Sequence, residues 1–383
     1  MAYYHGIKIN EITTGTRPIT DVSTAVIGLV AIAEDADVTA FPLDTAVLVT
    51  DLAAAVGKAG TDGTLAASLK AIADQVITPV IVVRVAEGED ADETEDNIIG
   101  TTLASGQRTG LQALLTAESV TSLRPRILGV PGHDTQAVTT ELVTIAKKLR
   151  AMAYAKPVGV TPAEIATYRG QFSARELMLI DGEATDFNGS AIARALGLRA
   201  KIDQQTGWHK TISNVAVNGI TGIINPRSFS ILASDVTDTS LINDADVTAL
   251  VRRDGFRFWG NRTCSDDPLF AFESAVRTAQ ILQDTIAEGL VWAVDKDLFT
   301  SLIRDIVESV NAKFRAMQSP NNSSGGRIVG AEAWYDPAAN PQEALSDGKI
   351  VIDYAFTPAS PAESIAINQR ITDKFYASIA DSL

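Results

Sequence analysis

Between residues 126 and 180 the chain repeats one rhythm: strand 126–130, helix 135–152, strand 155–160, helix 162–170, strand 176–180. Short apolar strands separated by helices leave little choice of architecture, because each crossover helix must cover a face of a parallel sheet. Residues 25–32 are an unbroken apolar run and residues 78–85 are apolar apart from Thr78 and Arg84, both rich in Val and Ile, the pattern of strands buried on both faces. An α/β fold is therefore expected. A further helix is read over 191–202, after which Gly207 and Trp208 open a loop-rich region ending near Pro226. The division of domains is placed there: an arm at 1–20, an outer α/β domain with linking strands at 21–205, a second, discontinuous core domain at 206–361, and a terminal strand and arm at 362–383.

The last third is amphipathic. Leu302, Ile303, Ile306, Val310 and Phe314 follow Phe299 at three- and four-residue spacing, with Arg304, Asp305, Glu308, Asn311 and Lys313 between them, which predicts a helix. Residues 319–326 end it with a Ser/Asn/Gly loop. Ile350, Ile352, Tyr354 and Phe356 then alternate with Val351, Asp353 and Ala355 as in a strand. Both ends of the chain carry the same signal in isolation. Ile7, Ile9 and Ile12 alternate with polar residues ahead of a Thr/Gly/Pro stretch at 13–18, and Ile365, Ile367 and Ile371 follow the two prolines of 357–361. The second set fits a strand by period two and, with Phe375, a helix by period four; a strand is expected.

Composition excludes several classes of function. Of 383 residues, 46% are hydrophobic and 21% charged, enough apolar material for two or three packed domains. Asp and Glu outnumber Lys and Arg by 47 to 32, a net charge of -15 that disfavours direct nucleic-acid or anionic-membrane partners. The longest apolar stretch, 25–33, is far short of the roughly 20 residues a membrane-spanning helix needs. Cys264 is the single cysteine, so no intrachain disulfide forms, and the opening residues lack the pattern of an export signal. Folding in a reducing cytoplasm is expected.

The search for chemistry returns little. His5, His133 and His209 are isolated, with no metal-ligand spacing. His133 follows a strand, where α/β enzymes place catalytic groups, but no Ser or Cys elbow accompanies it. Gly57-Lys58 lacks the earlier glycine and following Ser or Thr of a phosphate loop. The acidic run 87–96 lacks the glycine and spaced Glu of a calcium loop and is expected to be a solvated loop. Cys264 has no partner histidine nearby in sequence, and the triplets at Asn188, Asn261 and Asn322 carry no meaning without secretion. No catalytic group, cofactor or metal is expected.

Several stretches together resemble contractile-tail sheath proteins. Gly6-Ile7-Lys8-Ile9-Asn10-Glu11, then Arg17-Pro18-Ile19 and Val22-Ser23-Thr24-Ala25-Val26, look like that family's opening arm and first strand. Asp254-Gly255-Phe256-Arg257-Phe258-Trp259-Gly260-Asn261-Arg262-Thr263 is similar to the Gly-x-x-x-Trp-Gly-Asn-Arg-Thr segment of sheath core domains, and residues 325–334 and 340–356 continue the likeness. The length looks most like the compact sheaths of temperate myophages and R-type bacteriocins. The resemblance implies a subunit that stacks in six-fold rings around a tail tube, meets baseplate and terminator proteins, and is stored extended before contracting to drive the tube through a cell envelope. It implies arms donated to neighbours through Ile7, Ile9, Ile12, Ile365, Ile367 and Ile371. It also implies a stabilising core motif at Trp259, Gly260, Asn261, Arg262 and Thr263, with Arg262 buried and paired, and a tube-facing surface near Arg304, Lys313 and Arg315. The alternatives are an α/β enzyme, motivated by the rhythm of 126–180, and another structural tail protein.

Overall fold

The computed structural model describes residues 19–20, 22–232, 234–318 and 326–376. The apolar runs become the centre of one sheet. Strands β1 (Ile27–Ile32), β2 (Ala46–Val49) and β3 (Val80–Val85) are followed by β4 (Ile127–Gly129), β5 (Met152–Ala155) and β6 (Leu177–Asp181). The short β7 (Glu183–Ala184), β8 (Ala216–Val217) and β9 (Ile223–Ile224) lead to the hairpin β10 (Thr248–Arg252) and β11 (Phe256–Trp259). Nine strands join in the order β2-β3-β1-β4-β5-β6-β10-β11-β8. The six from β3 to β10 are parallel, while the edge pairs β2–β3, β10–β11 and β11–β8 are antiparallel. This sheet runs across the division expected at 205/206, since β10 pairs directly with β6.

Two layers of helices cover it, as a parallel sheet requires. Successive residues of β1 point to opposite faces. Ile27 and Leu29 enter a core with α2 (Leu65–Ala73) and α7 (Ser190–Gln205), and Val30 and Ile32 enter another with α3 (Ala91–Ile99) and α5 (Gln136–Leu149). The remaining early helices are short: α1 (Leu52–Val56), α4 (Ala117–Thr121), α6 (Pro162–Arg169) and α8 (Asp238–Asp244). Helix α6 starts with a capping box, Thr161 with Glu164, and Pro162 at its first position.

Two expectations need correction here. The acidic run is the start of α3, where Asp90 accepts from the Glu93 N–H and Asp92 and Glu93 sit at the positive end of the helix dipole. The strand expected at 155–160 lies earlier, at β5, because Arg150 takes a left-handed conformation (φ 50°) that ends α5 two residues before it.

A second module completes the chain. Helices α9 (Glu273–Leu290) and α10 (Thr300–Gln318) pack with the antiparallel pair β12 (Ile328–Trp334) and β13 (Asp353–Pro358), joined through α11 (Gln342–Ser346). Leu302, Ile306, Val310, Phe314 and Met317 form the buried stripe of α10. Phe314 meets Tyr354 of β13, and Trp208, Ile281 and Leu282 close this core.

Helix α9 joins the module to the sheet with a polar stripe. Glu273, Arg277, Gln280 and Asp284 recur at four-, three- and four-residue spacing and are all buried. Arg199 of α7 pairs with Glu273 (3.1 Å) and Asp203 (2.8 Å), and Tyr154 of β5 donates to Glu273 (2.8 Å). Arg277 pairs with Asp203, and donates to the carbonyls of Arg126 and Thr24; Gln280 donates to that of Ala151. Asp284 is held by Arg126, Arg150 and Arg124. Those carbonyls precede β4, β1 and β5, so α9 lies across the N-terminal ends of the parallel strands. Opposite charge from Glu273 and Asp203 keeps Arg199 protonated despite complete burial. Arg199→Met, which leaves Glu273 and Asp203 short of a cation, is expected to cost about 3–5 kcal/mol in urea unfolding; a change below about 1 kcal/mol would show that the stripe does not hold the module to the sheet.

Candidate functional site

The hairpin β10–β11 delivers the segment 259–263 to the start of α9. Gly260 takes φ 134°, and a Cβ there would lie 2.8 Å from the Thr248 Cα. Glycine is thus required for the chain to leave β11 and turn under β10. The turn is fixed from outside by Asn243, whose Nδ2 donates to the carbonyls of Trp259 and Val247, both at 2.9 Å. Trp259 stacks edge-on to Phe229 at 4.9 Å. Buried Asn261 offers its carbonyl to the Glu273 N–H (3.0 Å), and Thr263 Oγ1 donates to the Phe270 carbonyl (2.8 Å). Four of the five expected residues thus shape one junction between sheet and α9.

Arg262 differs from expectation: its side chain is 40% exposed rather than buried. It is nevertheless paired, with Nε and Nη2 on the two carboxylate oxygens of Glu363 (2.9 and 2.8 Å) and Nη1 3.4 Å from Asp246. The Glu363 hydrogen bonds raise its pKa above the ordinary guanidinium value.

The expected arms divide. Ile7, Ile9 and Ile12 lie outside the described residues. Ile365, Ile367 and Ile371 belong to a segment after β13 without regular structure, 77%, 87% and 98% exposed, so the strand expected there does not form within one chain. A strand needs a partner, and none lies beside it among the described residues. The pair β12–β13 is two-stranded; Asn311 and Gln318 of α10 bond the outward groups of Ala333 and Ala331 on β12, which leaves β13 as the outer edge.

On α10, Arg304 is exposed, Arg315 lies 3.8 Å from Glu308, and Lys313 Nζ donates to the Ile19 carbonyl (2.7 Å). Lys313 thus fastens the incoming N-terminal segment. A cleft of about 730 Å³ opens at the opposite ends of the parallel strands, lined by His133, Asp134, Lys156 and Asn188 with the acidic residues of 87–95. Desolvation lowers the His133 pKa, while burial and then Glu183 raise that of Asp134. No Ser or Cys lines this cleft, and among the described residues no His, Cys, Asp and Glu group is placed to hold a metal. Cys264 is buried under β6, its thiol pushed up to about 12 by burial. No described helix is long and apolar enough to cross a membrane.

Comparison with known proteins agrees over the whole chain. Residues 106–264 match the phage tail sheath protein central domain and residues 265–372 the phage tail sheath C-terminal domain. The tail sheath protein of Escherichia phage P2 is 51% identical, over 100% of this chain and 98% of that one. The major tail sheath protein of Serratia phage KSP20 is 47% identical with the same coverage. Among solved structures, the contracted sheath complex of the extracellular contractile injection system PVC superposes with TM-score 0.68 at 14% identity, covering 98% of this chain and 99% of that one. The contracted helical sheath of the anti-feeding prophage gives 0.67 at 15% identity, over 97% and 99%.

The geometry of the turn carries a test. Gly260→Ala places a side chain in a left-handed conformation against backbone, and a loss on the order of 1–3 kcal/mol is expected in chemical denaturation. Wild-type stability would mean that the hairpin exit is not constrained as described.

Proposed function

This chain belongs to the phage tail sheath family and is a contractile sheath subunit, and on that premise we propose that it works by assembling and rearranging, without catalysis. The subunits stack as six-fold rings around a tail tube, end on a baseplate and a terminator, and form a helical polymer through head-to-tail contacts that do not close. Assembly takes place in the host cytoplasm, and the polymer then forms part of a tail or bacteriocin particle.

The observation that carries this reading is the row of isoleucines after β13. Ile365, Ile367 and Ile371 keep strand alternation yet have no strand partner among the described residues. An exposed apolar alternating segment is suited to adding to a sheet edge of a neighbour, where backbone pairing gives affinity and side chains fix register. The outer edge of β13 is the surface of matching chemistry, and Ile7, Ile9 and Ile12 supply a second arm by the same logic. Backbone pairing of this kind depends little on how the bodies are oriented, so the arms hold neighbours together while the bodies rotate and slide.

No nucleotide-binding motif accompanies the fold, and the work of contraction comes from a free-energy difference between two packings of the same folded subunit. Arg304, Lys313 and Arg315 on α10 remain the proposed side toward the tube. Arg304 and Arg315 are the better placed of the three, since Lys313 also holds Ile19.

Truncation after Pro361, or deletion of residues 1–16, is expected to leave a monomer with near wild-type melting temperature that forms no sheath by electron microscopy. Normal polymers from either truncated chain would refute the arm mechanism.

A further inference from the structure

The segment that carries the exposed isoleucines is anchored at its root by a contact no other feature of the fold requires. Pro358 and Pro361 fix φ on either side of Ala359 and Ser360, so the stretch from β13 to Glu363 has few conformations. At the end of that stretch Glu363 meets Arg262, a residue 101 positions earlier, in a two-point fork of 2.9 and 2.8 Å. The fork is itself braced by two further contacts to Arg262. Asp246, in the turn between α8 and β10, lies 3.4 Å from Arg262 and also pairs with Arg169 at 3.1 Å; the ring of Phe272, just before α9, lies 5.6 Å beneath the guanidinium.

We infer that Arg262 is a positioning residue for the C-terminal arm: by gripping Glu363 it sets the direction in which Ile365, Ile367 and Ile371 leave the body toward a second copy of this chain. This rests on the arm reading above. The two side chains are 40% and 39% exposed, so the pair adds little to the stability of the isolated subunit. Its value is pre-organisation, because an arm already aimed loses less conformational freedom when it pairs with a neighbour. Exposure also lets the grip open without disturbing the core, and Asp246 remains beside Arg262 when it does.

The test is the concentration at which the purified full-length chain forms sheath, measured by pelleting and electron microscopy. Glu363→Gln, in an exposed segment outside every element, is expected to raise that concentration about two- to fivefold with the melting temperature unchanged. In an Arg262→Gln background the same change should add nothing, since the fork is already gone. Polymerisation of Glu363→Gln at the wild-type concentration would overturn the inference, as would an equal cost of Glu363→Gln in both backgrounds. If Arg262→Gln fails to fold, the Glu363→Gln result alone decides. Truncation after Pro361 in the same assay separates the two ideas. Assembly of the truncated chain removes the arm and the grip together; its failure beside a silent Glu363→Gln leaves the arm standing and removes only the grip.

Discussion

The buried stripe on α9 decides what kind of object this subunit is. Glu273, Arg277 and Asp284 meet Arg199, Asp203 and Arg126 away from water, where each charge is tolerable only while its partners stay in place. Such a contact has one geometry. An apolar interface of the same size would slide at small cost, whereas moving α9 by a turn would leave several charges unpaired at once. The sheet with its helical layers and the module built on α9, α10, β12 and β13 therefore behave as one rigid body, although the family boundary at 264/265 falls between them.

That rigidity limits where contraction can act. If the body does not deform, the change between two packings has to occur at contacts between bodies and in the segments that leave them. The chain places its exposed apolar alternation in such a segment, beyond Pro358 at the end of β13 and Pro361, and roots it at the hairpin exit where Gly260, Asn261 and Thr263 bind sheet to α9. The hairpin exit and the root of that exposed segment are thus neighbours, joined through Arg262 and Glu363.

Much of this was legible in the residues, for identifiable reasons. The strands β1 and β3 and the buried stripe of α10 follow from hydrophobic patterning, because burial there is apolar save at Arg84 and Ser309. The segment 254–263 stood out by resemblance, and its glycine and asparagine occupy the turn positions their chemistry suits. The stripe on α9 was not legible: Glu, Arg, Gln and Asp at helical spacing look like a solvated face, and only the carbonyls of Thr24, Arg126 and Ala151 show otherwise. The acidic run hid a helix start because its exposed carboxylates look like a solvated loop, although Asp90 also caps α3 and Asp92 and Glu93 lie in its first turn. The place of Arg262 was half visible. Its need for a carboxylate followed from its chemistry, but nothing local pointed to Glu363, 101 residues away.

Reconstruction of the assembled sheath from this chain by electron cryomicroscopy, before and after contraction, tests whether the body is rigid. The account predicts that residues 22–358 of one subunit superimpose between the two states, with Arg199 on Glu273 and Asp284 on Arg126 in both, while only the relations between subunits change. A shift of α9 across the strand ends, or loss of those pairs in either state, would contradict it.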